Sequence, residues 1–127
     1  MSRARDEGAA VVDFVLVTVL VLALFLLVFQ VGVALHVRNV LIASAAEGAR
    51  YGANADRSPE EGAQQAQRAV AAALGSGLAR QVRCEPVDGA TAEGAPVVDI
   101  RCTGPVPSLT GAVMSLTVHG HALEESR

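Results

Sequence analysis

From Phe14 to Leu35 the chain reads FVLVTVLVLALFLLVFQVGVAL, 22 residues without a charge and with only Thr18 and Gln30 as clearly polar side chains. An α-helix rises about 1.5 Å per residue, so a run of this length crosses a hydrocarbon layer of about 30 Å. A helix that is apolar all round has to be surrounded by lipid or by other helices. The segment therefore reads as a transmembrane helix, and whatever follows has to fold as a separate part. A cleavable secretory signal is the nearest competitor, since Arg3 and Arg5 precede the run and Ala43-Ser44-Ala45 resembles a cleavage site. Its apolar region spans about 7–15 residues, however, and here Arg38 and Asn39 intervene before that site.

Composition divides along the same line. Residues 36–127 hold 40 apolar residues out of 92, 18 of them Ala, with Tyr51 as the only aromatic, while all three Phe lie in the apolar run. Ala buries little area, so the second part has a thin core, and it is near the size at which a staple, a partner or a membrane helps stability. A net charge of −3 argues against disorder. The ten basic residues are all Arg and scattered, with Tyr51 the only aromatic outside the apolar run, so nothing supports nucleic acid as a partner.

Charge does not orient the helix, because Arg3 and Arg5 are balanced by Arg38 and Arg50. The cysteines do. Cys84 and Cys102 are the only pair, both in the larger C-terminal part, and an even pair in a small, core-poor domain points to an oxidising compartment. The expected topology is a short cytoplasmic N-terminus and an extracytoplasmic C-terminal domain in the cell envelope.

The helical pattern continues without proline through His36 to Ala53, so the membrane helix is expected to run on as one rod. Within it Ser44, Gly48 and Gly52 recur every four residues, a spacing that lets another backbone approach closely. An Ala-rich chain also meets that spacing by chance. Val37, Val40, Leu41 and Tyr51 are expected to cover the head of the domain. After a polar break at Asn54 to Arg57, Ser58-Pro59-Glu60-Glu61 forms a capping box with proline at the first helical position. The helix it opens carries an apolar stripe of Ala63, Ala66, Val70, Ala73 and Leu74, and Gly75 and Gly77 are expected to end it.

Two strands follow, Gln81 to Val87 and Pro96 to Cys102, each alternating apolar and polar side chains. Antiparallel pairing with Cys84 opposite Cys102 also sets Glu85 opposite Arg101. A disulfide there closes a loop worth about 3 kcal/mol. Beyond the Pro105-Val106-Pro107 break, Ala112 to Ala122 alternates again as a third strand. The expected fold class is α+β: a long N-terminal transmembrane helix extending into a small extracytoplasmic domain with one short helix and a three-stranded antiparallel sheet. The segments are 1–8, 9–35 for the membrane helix, and 36–127 for the domain.

Cys84, Cys102, His119 and His121 are in principle a Cys2His2 zinc set, but they lack the close paired spacing that pre-positions ligands. No metal or cofactor is expected, and no small-molecule substrate. The chain is not expected to be an enzyme, since no Cys or Ser sits in a nucleophile motif and the acidic residues are dispersed. The sharpest local feature is Gly8-Ala9-Ala10-Val11-Val12-Asp13-Phe14. A carboxylate at the edge of a membrane helix is costly. The helix dipole accounts for part of it. Cleavage after Gly8 would add a second reason, because Ala9 would then carry an amine four residues from Asp13.

In this order, a glycine after a short charged leader, an acid five positions on followed by an aromatic, and a long apolar helix resemble the class III signal of type IV pilins and pseudopilins. The stretch Ala43-Ser44-Ala45-Ala46-Glu47-Gly48-Ala49-Arg50-Tyr51-Gly52-Ala53 is similar to TadE-like proteins of the tight-adherence (Flp) pilus system. Asp13 stands where that family usually has Glu, and the proline often found in its membrane helix is absent. The resemblance implies a type IV pilin-like fold and a pseudopilin or minor pilin-like subunit with no catalysis of its own. It makes Gly8 the residue before the bond cut by a prepilin peptidase, Ala9 the mature N-terminus, and Asp13 the assembly carboxylate. The implied partners are that peptidase, the inner-membrane pilus platform and other pilins or pseudopilins. The competing reading is an uncleaved single-pass anchor displaying a small extracytoplasmic binding domain.

Overall fold

With no proline before Pro59, nothing interrupts the first helix, and α1 runs unbroken over Ser2–Ala53. The computed structural model describes residues 2–112 and 114–125. Contacts divide the chain into two units, one ending at Val33 and the other beginning at Ala34.

The first unit is helical. Its large apolar side chains from Val11 to Val31 are all exposed, between 41% and 72%. The one hydroxyl in their midst is turned inward: Thr18 Oγ1 donates to the Phe14 carbonyl at 2.8 Å, which satisfies it without water. α1 includes a stretch long and apolar enough to cross a membrane.

In the second unit α1 becomes one-sided. Val37, Leu41, Ser44, Ala45, Gly48, Ala49, Gly52 and Ala53 are buried, the i, i+3, i+4 pattern of a helix lying on a core. Val40 and Tyr51 are half-buried at its margins. The chain then breaks at Asn54 to Asp56, and α2 (Pro59–Leu74) starts on the expected capping box. The Glu61 amide donates to Ser58 Oγ at 3.2 Å, and the Ser58 amide donates to Glu61 Oε2 at 2.9 Å. α2 buries Gly62, Ala63, Ala66 and Val70. Ala73, expected in that stripe, is exposed, because in the last turn Leu74, together with Leu78, packs on the core instead. Gly75 alone ends the helix, its amide donating to the Ala71 carbonyl at 3.0 Å. Gly77 belongs to the short turn α3 (Ser76–Ala79) that follows.

The sheet contains β1 (Arg83–Val87), β2 (Thr91–Ala92), β3 (Ala95–Val106) and β4 (Met114–Leu123), all antiparallel about β3. Cys84 lies opposite Cys102 and Glu85 opposite Arg101, the register expected from the alternation. Three features differ from the sequence reading. The loop before β3 contains a fourth, two-residue strand, with Thr91 opposite Pro96 and Ala92 opposite Ala95. β3 continues through Pro105, which is opposite Ser115. The β1 register ends at Thr103, so β3 is paired there on one side only, and a residue without an amide hydrogen is tolerated. β4 begins at Met114 rather than Ala112. Val113 lies outside the described residues, as do Met1, Ser126 and Arg127.

Val98, Ile100, Cys102 and Val118 face the helices and join Val37, Leu41, Ala45, Ala49, Ala66 and Val70 in one core. Among the described residues the largest fully buried side chains are Leu41, Ile100, Val70 and Cys102. With so little bulk, the Cys84–Cys102 disulfide between β1 and β3 carries a large share of the stability, about 3 kcal/mol.

Candidate functional site

Gly8, Ala9 and Asp13 lie on exposed turns of α1 in the first unit. A side chain added at Gly8 would meet open space, so packing within this chain does not require the glycine. Asp13 is exposed, and no ion pair among the described residues involves its carboxylate. Four residues separate Ala9 from Asp13, which sets them one above the other on one helix face.

Ser44, Gly48 and Gly52 lie in the second unit, and there the small-residue spacing has a partner. α2 crosses them at Gly62. A methyl group on Gly48 would come within 2.5 Å of the Gly62 carbonyl oxygen and 2.7 Å of Ala66 Cβ, and one on Gly52 would come within 3.2 Å of Gly62 Cα. The reverse holds for Gly62, whose missing side chain would meet the Gly48 carbonyl oxygen at 2.5 Å. The stripe is thus occupied within the chain, by α2. Gln65 Nε2 donates across the same contact to Glu47 Oε1 at 3.1 Å.

Three further arrangements were not visible in the sequence. β4 presses on α1 at Gly120, where any side chain would run into the Ala45–Ala46 peptide. Gln67 of α2 ties off the end of β1: its Nε2 donates to the carbonyls of Ala79 and Val82 at 2.8 and 2.9 Å, and its Oε1 accepts from the Cys84 amide at 3.2 Å. Asp99, one of the polar side chains in the alternation of β3, is only 8% exposed. His119 and His121 cover it from β4, their Nδ1 atoms 3.1 and 3.5 Å from its Oδ1. The Cys2His2 set considered above is not assembled. The two sulfurs are bonded to each other on the core side of the sheet, while the histidines lie on the opposite face with Asp99.

The outer face is a set of cross-strand pairs. Glu85 and Arg101 approach to 3.8 Å, and Thr103 and Thr117 share a hydrogen bond of 3.1 Å. Both pairs are largely solvated, so each contributes well under about 1 kcal/mol.

No curated protein and no solved structure matches the chain. A family model, that of TadE-like protein, matches residues 8–50. That stretch is about a third of the sequence. It begins at Gly8, contains Asp13 and the apolar run, and ends at Arg50, beside the glycines that α2 packs against. Over this segment the chain is similar to the TadE-like family.

Proposed function

We propose that the chain is a membrane-anchored pseudopilin or minor pilin-like subunit that takes part in assembling a tight-adherence pilus. The observation that carries this reading is the order Gly8, Asp13, apolar helix inside the family-matched segment. A prepilin peptidase cuts after Gly8, and Ala9 becomes a charged N-terminus. Asp13 then neutralises an amine in an apolar bundle, within one subunit or on its neighbour. An unpaired carboxylate among apolar helices is strongly disfavoured, so this pairing also fixes the axial register of one subunit against the next. Before assembly α1 is dissolved in lipid through Phe14–Leu35. Afterwards the same side chains pack against sister helices, which explains why they are large, apolar and uniformly outward-facing.

The domain from Ala34 onward lies outside the cytoplasm, a placement supported by the Cys84–Cys102 disulfide. It presents a surface to the inner-membrane platform and to other pilins or pseudopilins. The subunit performs no catalysis.

Asp13 provides the test. In the native host, Asp13→Ala abolishes surface pili while the subunit still accumulates in the membrane with its disulfide formed, and Asp13→Glu restores them. Piliation unaffected by Asp13→Ala would overturn the reading in favour of an uncleaved anchor displaying a binding domain.

A further inference from the structure

The β3–β4 hairpin differs in chemistry from the rest of the domain. From Cys102 to Val118 it contains no acidic, basic or histidine side chain. Its turn satisfies several of its own polar groups: Ser108 Oγ and Thr110 Oγ1 share a hydrogen bond of 2.8 Å, and the Thr110 amide donates to Ser108 Oγ at 3.2 Å. What the tip presents outward is apolar, with Leu109 and Met114 each 62% exposed. A soluble domain with so few large apolar residues would be expected to bury these two.

The direction of the hairpin supplies the reason. At its open end the Glu125 amide donates to the Ala53 carbonyl at 3.0 Å, Gly120 abuts Ala45 and Ala46, and Gly104 lies over Leu41. The hairpin thus runs back along α1 from Ala53 toward Leu35. From Leu41 to Leu35 is about 9 Å of helix. From Gly104 to Val106 is about 7 Å of strand, and the turn at 107–112 reaches further. The tip is therefore brought to the level of Leu35, the residue at which the uncharged run ends. The nearby charged side chains are Arg38 on α1 and, on the outer face of the sheet, Arg83 opposite Thr103 and the Glu85–Arg101 pair, so that basic groups exceed acidic ones there. The acidic residues Asp88, Glu93, Glu124 and Glu125 lie toward the other end, with Ala53.

We infer that the tip of the β3–β4 hairpin, carrying Leu109 and Met114, is a second membrane contact that dips into the interfacial layer of the bilayer spanned by α1. The occupant is lipid, for two reasons. The apolar tip reaches the level at which the apolar helix run ends, and its flank offers arginines to anionic headgroups. The contact rests on α1 spanning the membrane, not on the pilus reading. It tethers the domain at two points.

The chain contains no Trp, so single substitutions report position cleanly. Three full-length variants, Leu109→Trp, Phe25→Trp and Thr91→Trp, are reconstituted into vesicles of phosphatidylethanolamine and phosphatidylglycerol with brominated acyl chains. The expected result is blue-shifted, strongly quenched emission at Phe25→Trp and Leu109→Trp, and water-like, unquenched emission at Thr91→Trp near the opposite end. Unquenched Leu109→Trp beside quenched Phe25→Trp would overturn the contact while leaving the span intact. A blue shift at Leu109→Trp without bromine quenching would overturn it in favour of a protein partner. Absence of quenching at Phe25→Trp would overturn the span, and the contact with it.

Discussion

The two halves of α1 are one helix made for two solvents. Before Val33 the helix carries Val, Leu and Phe on every side, and none of them is buried. After Ala34 it carries Ala, Gly and Ser on one face, and that face is packed to closure against α2 and β4. A continuously exposed apolar surface of this extent is not tolerated in water. The first half is therefore complete only in lipid or among other helices. The second half finds its neighbours within its own chain, and it achieves contact through small size rather than large area. Side-chain bulk has been placed where the partner is external, and backbone proximity where the partner is internal.

This contrast breaks most sharply at two leucines on the same helix. Leu41 is fully buried, and Leu41→Ala is expected to destabilise the second unit by about 2–5 kcal/mol. Leu20 is 69% exposed, and Leu20→Ala is expected to change that stability by less than about 0.5 kcal/mol. Chemical denaturation of each full-length variant in detergent measures the difference, and equal losses would show that the two halves are not independent in their packing. Replacing both cysteines by serine comes next, lowering the stability of the second unit by about 3 kcal/mol. The same loss should appear in the wild-type chain on reduction and should leave the helicity of the first unit unchanged by circular dichroism.

A smaller effect sharpens the role of the glycines. Gly48→Ala gains about 1 kcal/mol of helix propensity but forces α2 away from α1, and overpacking costs about 1–3 kcal/mol, so a net loss of up to about 2 kcal/mol is expected. Gly32→Ala meets open space, so the propensity gain there is unopposed. The sign of the two substitutions should differ in thermal melts of the full chain.

Much of this was legible in local sequence patterns. The capping box at Ser58-Pro59-Glu60-Glu61 is a four-residue signal, and the helix starts on it. The period-two alternation through Cys84 and Cys102 admits few registers, and the observed one joins both cysteines and both charges. What escaped depends on groups far apart in the chain. Gln67 looks like any polar residue on a helix until β1 is known to end against it. Asp99 looks solvated until His119 and His121 arrive from β4. Gly62 and Gly120 look like helix and strand blemishes until α1 is laid across them. In the N-terminal segment the reverse holds. Gly8 and Asp13 have a pattern in sequence, while in the structure Gly8 faces open space and Asp13 is exposed.

The central claim, that this segment is built to be processed and assembled, is tested most directly by the mass of the protein extracted from its native host with an active prepilin peptidase. The expected mass is that of a chain beginning at Ala9, with residues 1–8 removed and the disulfide intact. A chain that retains residues 1–8 in the membrane of piliated cells would contradict it.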